Sequence, residues 1–446
     1  MTAVAGHSPV ASLVRLLRDP ASWMAAVDVF AILTAASLPF STSLPAIFTV
    51  AMLVAFAPFL DLRSFAHSLR RPIAAVPIAF FALALVGTLW SDAAWGTRLY
   101  AVFPTAKLLM LPVLFYHFER SERGAWVLVA FLVSCTLLMI MSWAVTCAPS
   151  LSLKPAAEVS RGIFVKNYID QSQEFALCAV ALAYPAVQLL RTGKIGQALA
   201  LCAISLSLIV NMMVVIVSRT ALVTLPIMFA VYGLMHLRLR TNLSILGAAI
   251  IVGLAVWAIP FGTICSRVSP SLCAAQGEMA GSPQLEWTLK TFSRDYQLYT
   301  ERNIPTSIGE RLEYWQTALR LFADAPVIGH GTGATYGLFE QAAQGPDWVK
   351  GIKVIGNPHN QTLNVAVQWG SLGVAVLYAM WLLHLLLFRG DGLANWIGLL
   401  VVVQNILSSL FNSHIFDFHE GWMYVLGVGV AGGMVLRAKA AEAKGS

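Results

Sequence analysis

Residues 125–146 read AWVLVAFLVSCTLLMIMSWAVT, without one charged side chain. About 20 apolar residues in an α-helix cross a bilayer core roughly 30 Å thick, because the helix satisfies its own backbone N–H and C=O groups. The stretch reads as a membrane span. Apolar segments of similar length recur at approximately 22–40, 43–60, 73–90, 101–117, 172–190, 196–217, 221–237, 243–260, 361–388, 393–411 and 421–436. Together they predict an all-α polytopic membrane protein of about twelve transmembrane helices. Helices one to nine fall within 1–260. A large loop occupies 261–358, and helices ten to twelve with a basic tail occupy 359–446.

Composition points the same way. Of 446 residues, 58% are hydrophobic and 11% charged, and the mean hydropathy is +0.72. A soluble domain carries about 25% charged residues, so this chain lacks the charge to cover a water-facing surface. A soluble enzyme, a disordered chain and a secreted disulfide scaffold are excluded. The first apolar run has no small-residue cleavage site near its end and reads as a retained span.

The net charge of +7 fits basic residues held on the cytoplasmic side. With both termini inside, Arg15, Arg18, Arg63, Arg70, Arg71, Arg120, Arg123, Arg191, Lys194, Arg238, Arg240, Arg389, Arg437, Lys439 and Lys444 lie on inner segments. Short outer segments and span ends hold only Arg98, Lys107, Lys154, Arg161, Lys166 and Arg219. This bias sets the orientation and puts the large loop outside. It also makes each outer cation need a reason, above all Lys107, which falls inside a span. Cys265 and Cys273 sit in the outer polar stretch and can pair in an oxidising compartment.

Within the loop, Ser307-Ile308-Gly309-Glu310 has the form of a capping box. Ile308, Leu312, Trp315, Leu319 and Phe322 follow at helical spacing. The expectation is an amphipathic helix lying on the membrane surface or against the bundle, with Arg311 beside the apolar stripe and turned toward the membrane. A glycine-rich turn, Ala325 to Gly333, comes next. Asn357-Pro358-His359-Asn360 then opens the tenth span, with Asn357 as N-cap, Pro358 at the first helical position and His359 in the first turn. There the positive helix end favours a neutral imidazole, the form a general base needs. The plainer reading is a structural histidine at the membrane interface.

Arg219, in Ser218-Arg219-Thr220, and Arg311 carry guanidinium forks suited to a diphosphate. Boundary snorkelling and an intrahelical pair are the plainer alternatives. Arg161 and Lys166 add positive potential to the same face, or contact lipid headgroups. His414, Asp417 and His419 cluster in the last outer loop, but their spacing matches no strong metal-ligand pattern. Asp417 can instead orient a base or an arginine. Asp28 is an acid embedded in the first span. No Walker A loop, GxGxxG fingerprint or HExxH motif is present, which disfavours nucleotide-driven chemistry.

In combination these motifs resemble the bacterial O-antigen ligase family, within the superfamily that includes O-antigen polymerases and protein O-oligosaccharyltransferases. His359-Asn360 with Leu363 and Gly370 is similar to the family's H-N-x-x-L pattern and following glycine. Ser218-Arg219-Thr220 resembles its arginine at the outer end of a middle span. Arg311 and Trp315, then Pro326, Gly329, Gly331 and Gly333, resemble its R-x-x-x-W helix and Pro-Gly turn. The motifs cover roughly 210–375.

The resemblance implies transfer of a glycan from undecaprenyl diphosphate to a sugar hydroxyl of lipid A–core, at the periplasmic face of the inner membrane. It implies His359 as base, with Arg219 and Arg311 stabilising the leaving diphosphate. Arg161, Lys166, Asn360 and Asp417 would contact substrate. No metal, cofactor or nucleic acid is expected. A polymerase or protein glycosyltransferase of the same superfamily is the nearest alternative. A non-enzymatic carrier of lipid-linked sugars would line several span interiors with charge, whereas the polar groups here gather at one face.

Overall fold

The structure is a computed structural model that describes residues 19–151, 162–216, 219–236, 284–302, 304–346 and 348–445. Every regular element among them is helical. In chain order these are α1 (Pro20–Ser37), α2 (Ser43–Phe56), α3 (Leu62–Leu69), α4 (Pro72–Val86), α5 (Trp95–Ala106), α6 (Met110–Phe118), α7 (Gly124–Cys147), α8 (Tyr168–Ala181) and α9 (Ala183–Arg191). They continue with α10 (Ile195–Asn211), α11 (Arg219–His236), α12 (Gln284–Arg302), α13 (Ser307–Asp324), α14 (Thr335–Ala342), α15 (Gln361–Leu387), α16 (Leu393–Ser408) and α17 (Phe418–Gly445).

Among the described residues, seven helical stretches are long and apolar enough to cross a membrane: Pro20–Ser37, Pro72–Leu89, Trp95–Phe118, Gly124–Cys147, Tyr168–Arg191, Gln361–Leu387 and Phe418–Lys444. Four shorter apolar helices, Ser43–Phe59, Ile195–Asn211, Val223–Met235 and Leu393–Ser408, accompany them. These overlie every segment expected from the sequence except 243–260, which lies outside the described residues, as do Cys265 and Cys273. The main core joins α1, α4, α6, α15, α16 and α17 around Leu111, Phe118, Trp369 and Tyr424. A smaller core of Tyr299, Tyr314, Phe339, Trp348 and Val367 ties α12, α13 and α14 to the start of α15.

The two ends of the bundle differ in charge. At one end Arg71 clamps Glu119 through two hydrogen bonds of 2.8 and 2.9 Å. Arg120 lies over the Tyr116 ring, and Arg437 pairs with Glu122. The embedded Asp28 is accounted for near this end. It accepts from His117 Nε2 at 2.7 Å and Ser121 Oγ at 2.6 Å, so the buried carboxylate is not left unpaired. Lys107 reaches the opposite end, where its ammonium donates to the carbonyls of Phe416 and Asp417.

Three local expectations need correction. Helix α15 starts later than its N-terminal motif suggests. Its N-cap is Asn360, whose Oδ1 accepts from Leu363 N at 3.1 Å, so His359 precedes the helix. His359 has φ +52°, and among the described residues it is the one non-glycine with positive φ. Asn357 does not cap a helix. It captures the His359 amide at 2.9 Å and holds that turn. Likewise α13 is capped by Thr306, which accepts from Gly309 N at 3.1 Å, one residue before the expected cap.

The face of α13 turned to protein also differs from the expected stripe. Gly309, Glu313, Tyr314, Thr317 and Ala318 are buried, while Leu319 is 54% exposed. In a membrane protein the most apolar face of a surface helix can be the one turned to lipid.

Candidate active site at one end of the bundle

The backbone of α15 is broken at Gly370, with φ 62° and ψ −158°. The glycine-rich turn fills the break. His330 N donates to Val367 O at 2.9 Å and Gly331 N to Gln368 O at 2.8 Å. Ser371 N and Leu372 N donate to the carbonyls of Pro326 and Val327 at 2.8 and 3.1 Å. Groups that α15 could no longer satisfy are thus paired with the turn, as a broken helix at membrane depth requires. Added Cβ atoms at Gly329 and Gly370 would meet the facing backbone inside van der Waals contact, and both have positive φ, so close approach selects glycine. Gly333 N donates to Gln368 Oε1 at 2.9 Å, and Trp369 Nε1 to Thr332 Oγ1 at 2.8 Å. The turn following α13 is thereby locked to the helix that begins just after His359.

Beside this frame, the link between α16 and α17 brings Asn412 to the imidazole. His359 Nδ1 lies 2.9 Å from Asn412 Oδ1, which also accepts from Asn357 Nδ2 at 3.2 Å. Asn412 Nδ2 donates to Asp417 Oδ2 at 2.7 Å. Ser413 Oγ donates to Asn357 Oδ1 at 2.7 Å and accepts from Asn364 Nδ2 at 3.0 Å. The Tyr314 ring of α13 lies 6.0 Å from the His359 ring, and its hydroxyl donates to Lys353 O at 2.8 Å. Burial, then Glu310, pushes that hydroxyl up to about 12. His359 is half-buried, and its Nε2 makes no hydrogen bond among the described residues.

Behind Asp417 lies a compact charged cluster. His414 Nδ1 is 3.3 Å from Asp417 Oδ2 and 3.6 Å from Glu420 Oε1. Burial alone would lower the pKa of His414, but the attraction of Glu420 and the close approach of the Asp417 carboxylate raise it to about 9. His414 is therefore an imidazolium at neutral pH. With the Lys107 ammonium it balances the two carboxylates. One ligand atom from each of His414, Asp417 and Glu420 would fit within 4.8 Å of the others. As they stand, the three side chains and Lys107 form a charge-balanced ion-pair cluster.

Arg311, on the first turns of α13, is half-buried, four residues before Trp315, whose indole N–H is buried without a hydrogen-bond acceptor. Arg219 is the first residue of α11, and its side chain lies outside the described residues, as does the whole of Arg161. Asn360 spends its side chain on the cap and on Leu410 O at 3.3 Å. Lys166 is not a solvent-facing cation. Its ammonium is buried against Glu174 at 3.1 Å and the Leu38 carbonyl. His419 pairs with Asp170 at 2.7 Å and stands apart from His414 and Asp417.

Nothing in the sequence singles out Asn412. An asparagine in a loop carries no spacing signal, and 53 residues separate it from His359. The nearby His414 and Asp417 are the residues of this loop that the sequence marks.

The fold and site define a polytopic helical membrane protein with its polar chemistry assembled at one end of the bundle. Residues 203–378 match the family model described as O-Antigen ligase. The match spans Arg219, Arg311, the glycine-rich turn, His359 and Gly370, bearing out the recognition made from those motifs. Among curated proteins, none matches the chain.

Proposed function

We propose that the protein is a metal-independent, inverting O-antigen ligase. It moves a glycan from undecaprenyl diphosphate to a sugar hydroxyl of lipid A–core at the periplasmic face of the bacterial inner membrane. One observation carries the reading. His359 is held before α15 with Nδ1 engaged and Nε2 open, beside the helix that bears Arg311. The opposite end gathers Arg71, Arg120, Arg123 and Arg437, residues that the charge count puts inside, which supports a periplasmic His359.

The acceptor hydroxyl oxygen attacks the anomeric carbon while the bond from that carbon to the diphosphate oxygen breaks. The hydroxyl proton passes to His359 Nε2, and undecaprenyl diphosphate leaves with the bonding pair. A single displacement inverts the anomeric centre. The leaving group is already activated, so no nucleotide enters. Arg311 and Arg219 offset the negative charge that grows on the diphosphate, where fixed cations act most strongly. Arg161 contributes positive potential to this end, whereas the Lys166 ammonium is already spent on Glu174.

The test is transfer from purified undecaprenyl-diphosphate glycan to purified lipid A–core by the purified protein, without nucleotide or metal. Product formation supports the ligase reading. Growth of the glycan on the lipid carrier, or transfer to a protein hydroxyl, would assign the polymerase or protein O-oligosaccharyltransferase activity of the same superfamily instead.

A further inference from the structure

We infer that Asn412 is a positioning residue that fixes the tautomer of His359, relaying the orientation imposed by the Asp417 carboxylate. The inference rests on the proposed role of His359 as base and adds what makes the open nitrogen the basic one.

The argument follows from donor and acceptor identities. A carboxylate only accepts, so the Asn412 atom 2.7 Å from Asp417 Oδ2 is the amide nitrogen. The other end of the amide, facing the imidazole, is then the oxygen. That oxygen also receives Asn357 Nδ2 at 3.2 Å, which confirms it as an acceptor. An oxygen 2.9 Å from His359 Nδ1 requires Nδ1 to carry the proton. A neutral imidazole protonated at Nδ1 has its lone pair on Nε2, the nitrogen left open to a substrate hydroxyl.

Two further features keep the relay in one state. Asp417 is flanked by the His414 imidazolium at 3.3 Å, and the Lys107 ammonium sits on its backbone carbonyl. Asn357 holds the His359 backbone amide at 2.9 Å and is itself held by Ser413 Oγ at 2.7 Å. The positive φ of His359 is over-determined from both sides of the loop, which sets the ring against Asn412. In free solution the Nε2–H form of a histidine side chain competes, and a ring in that form would present no lone pair to the acceptor.

The experiment uses full-length protein labelled with ¹⁵N in its histidine rings, the His359 signals being assigned by their loss in His359→Gln. In the wild type the one-bond N–H coupling should appear at Nδ1 and not at Nε2. In Asn412→Leu the coupling should move to Nε2 in part or whole. Turnover should fall about 10- to 100-fold, the usual cost of losing such an orienting partner, with KM for the donor unchanged. The double variant Asn412→Asp with Asp417→Asn exchanges donor and acceptor in that hydrogen bond, keeps an acceptor on Nδ1 and should retain the wild-type tautomer and most of the turnover, which separates positioning from a folding defect.

An Nε2–H ring in the wild type would overturn the inference. So would an Asn412→Leu protein with wild-type tautomer and turnover. If the couplings behave as expected but His359→Gln still transfers glycan, the tautomer clamp stands and the assignment of His359 as base falls.

Discussion

Ser371 donates its backbone amide to the carbonyl of Pro326 at 2.8 Å, across the break that Gly370 makes in α15. This hydrogen bond and its three neighbours place the turn after α13 inside the helix that follows His359. Arg311 and His359, 48 positions apart by their residue numbers, are thereby carried on one locked assembly.

Replacing either glycine of this junction should damage the fold more than the site. Gly370→Ala combines a backbone clash with a φ and ψ that only glycine adopts readily, and the conformational term alone costs about 1–3 kcal/mol. Gly370→Ala and Gly329→Ala should each lose at least ~2 kcal/mol, read as a lowered unfolding midpoint in detergent. A control, Gly337→Ala, lies in open space and should leave the midpoint unchanged. Wild-type midpoints for both junction variants would mean the turn and helix do not lock each other.

The roles of base and anion clamp should separate kinetically. His359→Ala should lose transfer by about 10²–10⁴-fold, the usual contribution of a general base, while still binding the lipid donor. Arg311→Ala and Arg219→Ala should lose donor affinity as well as turnover, since the diphosphate is charged before and during departure. Lysine at either position should rescue only in part, because a point charge replaces a planar fork. Donor binding measured beside single-turnover transfer decides it. Normal binding and transfer in both arginine variants would reduce these side chains to headgroup anchors.

Stability should fall on the alkaline side because of His414. Its pKa is raised to about 9 in the folded protein from an ordinary 6.5. The stabilising ion pair is therefore fully present below about pH 6.5 and is lost as pH rises through about 9. The full effect is on the order of 3 kcal/mol at most. Unfolding midpoints from pH 6 to pH 10 should drop across this window in the wild type. His414→Gln should start lower and show a flatter profile, and parallel profiles would show that His414 does not carry the dependence.

Activity should survive EDTA. The cluster of His414, Asp417 and Glu420 is charge-balanced by its own imidazolium and Lys107. Loss of transfer in EDTA, restored by Mg²⁺ or Mn²⁺, would turn this trio into a metal site and replace the proposed mechanism.

Topology is testable by cysteine labelling in a cysteine-free background. Tyr296, 49% exposed on α12, should be labelled from the periplasm when replaced by cysteine. His67, exposed on α3 at the arginine-rich end, should not. The reverse pattern would put His359 in the cytoplasm.

What the chain determines without any tertiary information is its class and the materials of its site. Spans such as 125–146 are legible because a bilayer imposes one length and one polarity on every crossing helix. His359, Arg311, Pro326, Gly329 and Gly370 are legible because each is a residue type with a restricted physical use.

Tertiary structure decided the rest. The cap of α15 moved to Asn360 because the loop bearing Asn412 and Ser413 competes for Asn357. The buried face of α13 turned to Glu313 and Tyr314 because protein, not water, lies on that side. Lys107 and Lys166, opposed to the charge bias, became intelligible only once the carbonyls and carboxylates that receive them were in place. Nor does any spacing rule connect His359 with Asn412. Hydrogen bonds act over about 3 Å and have no memory of sequence distance, so partners drawn from separate loops exist only after the helices between them have packed.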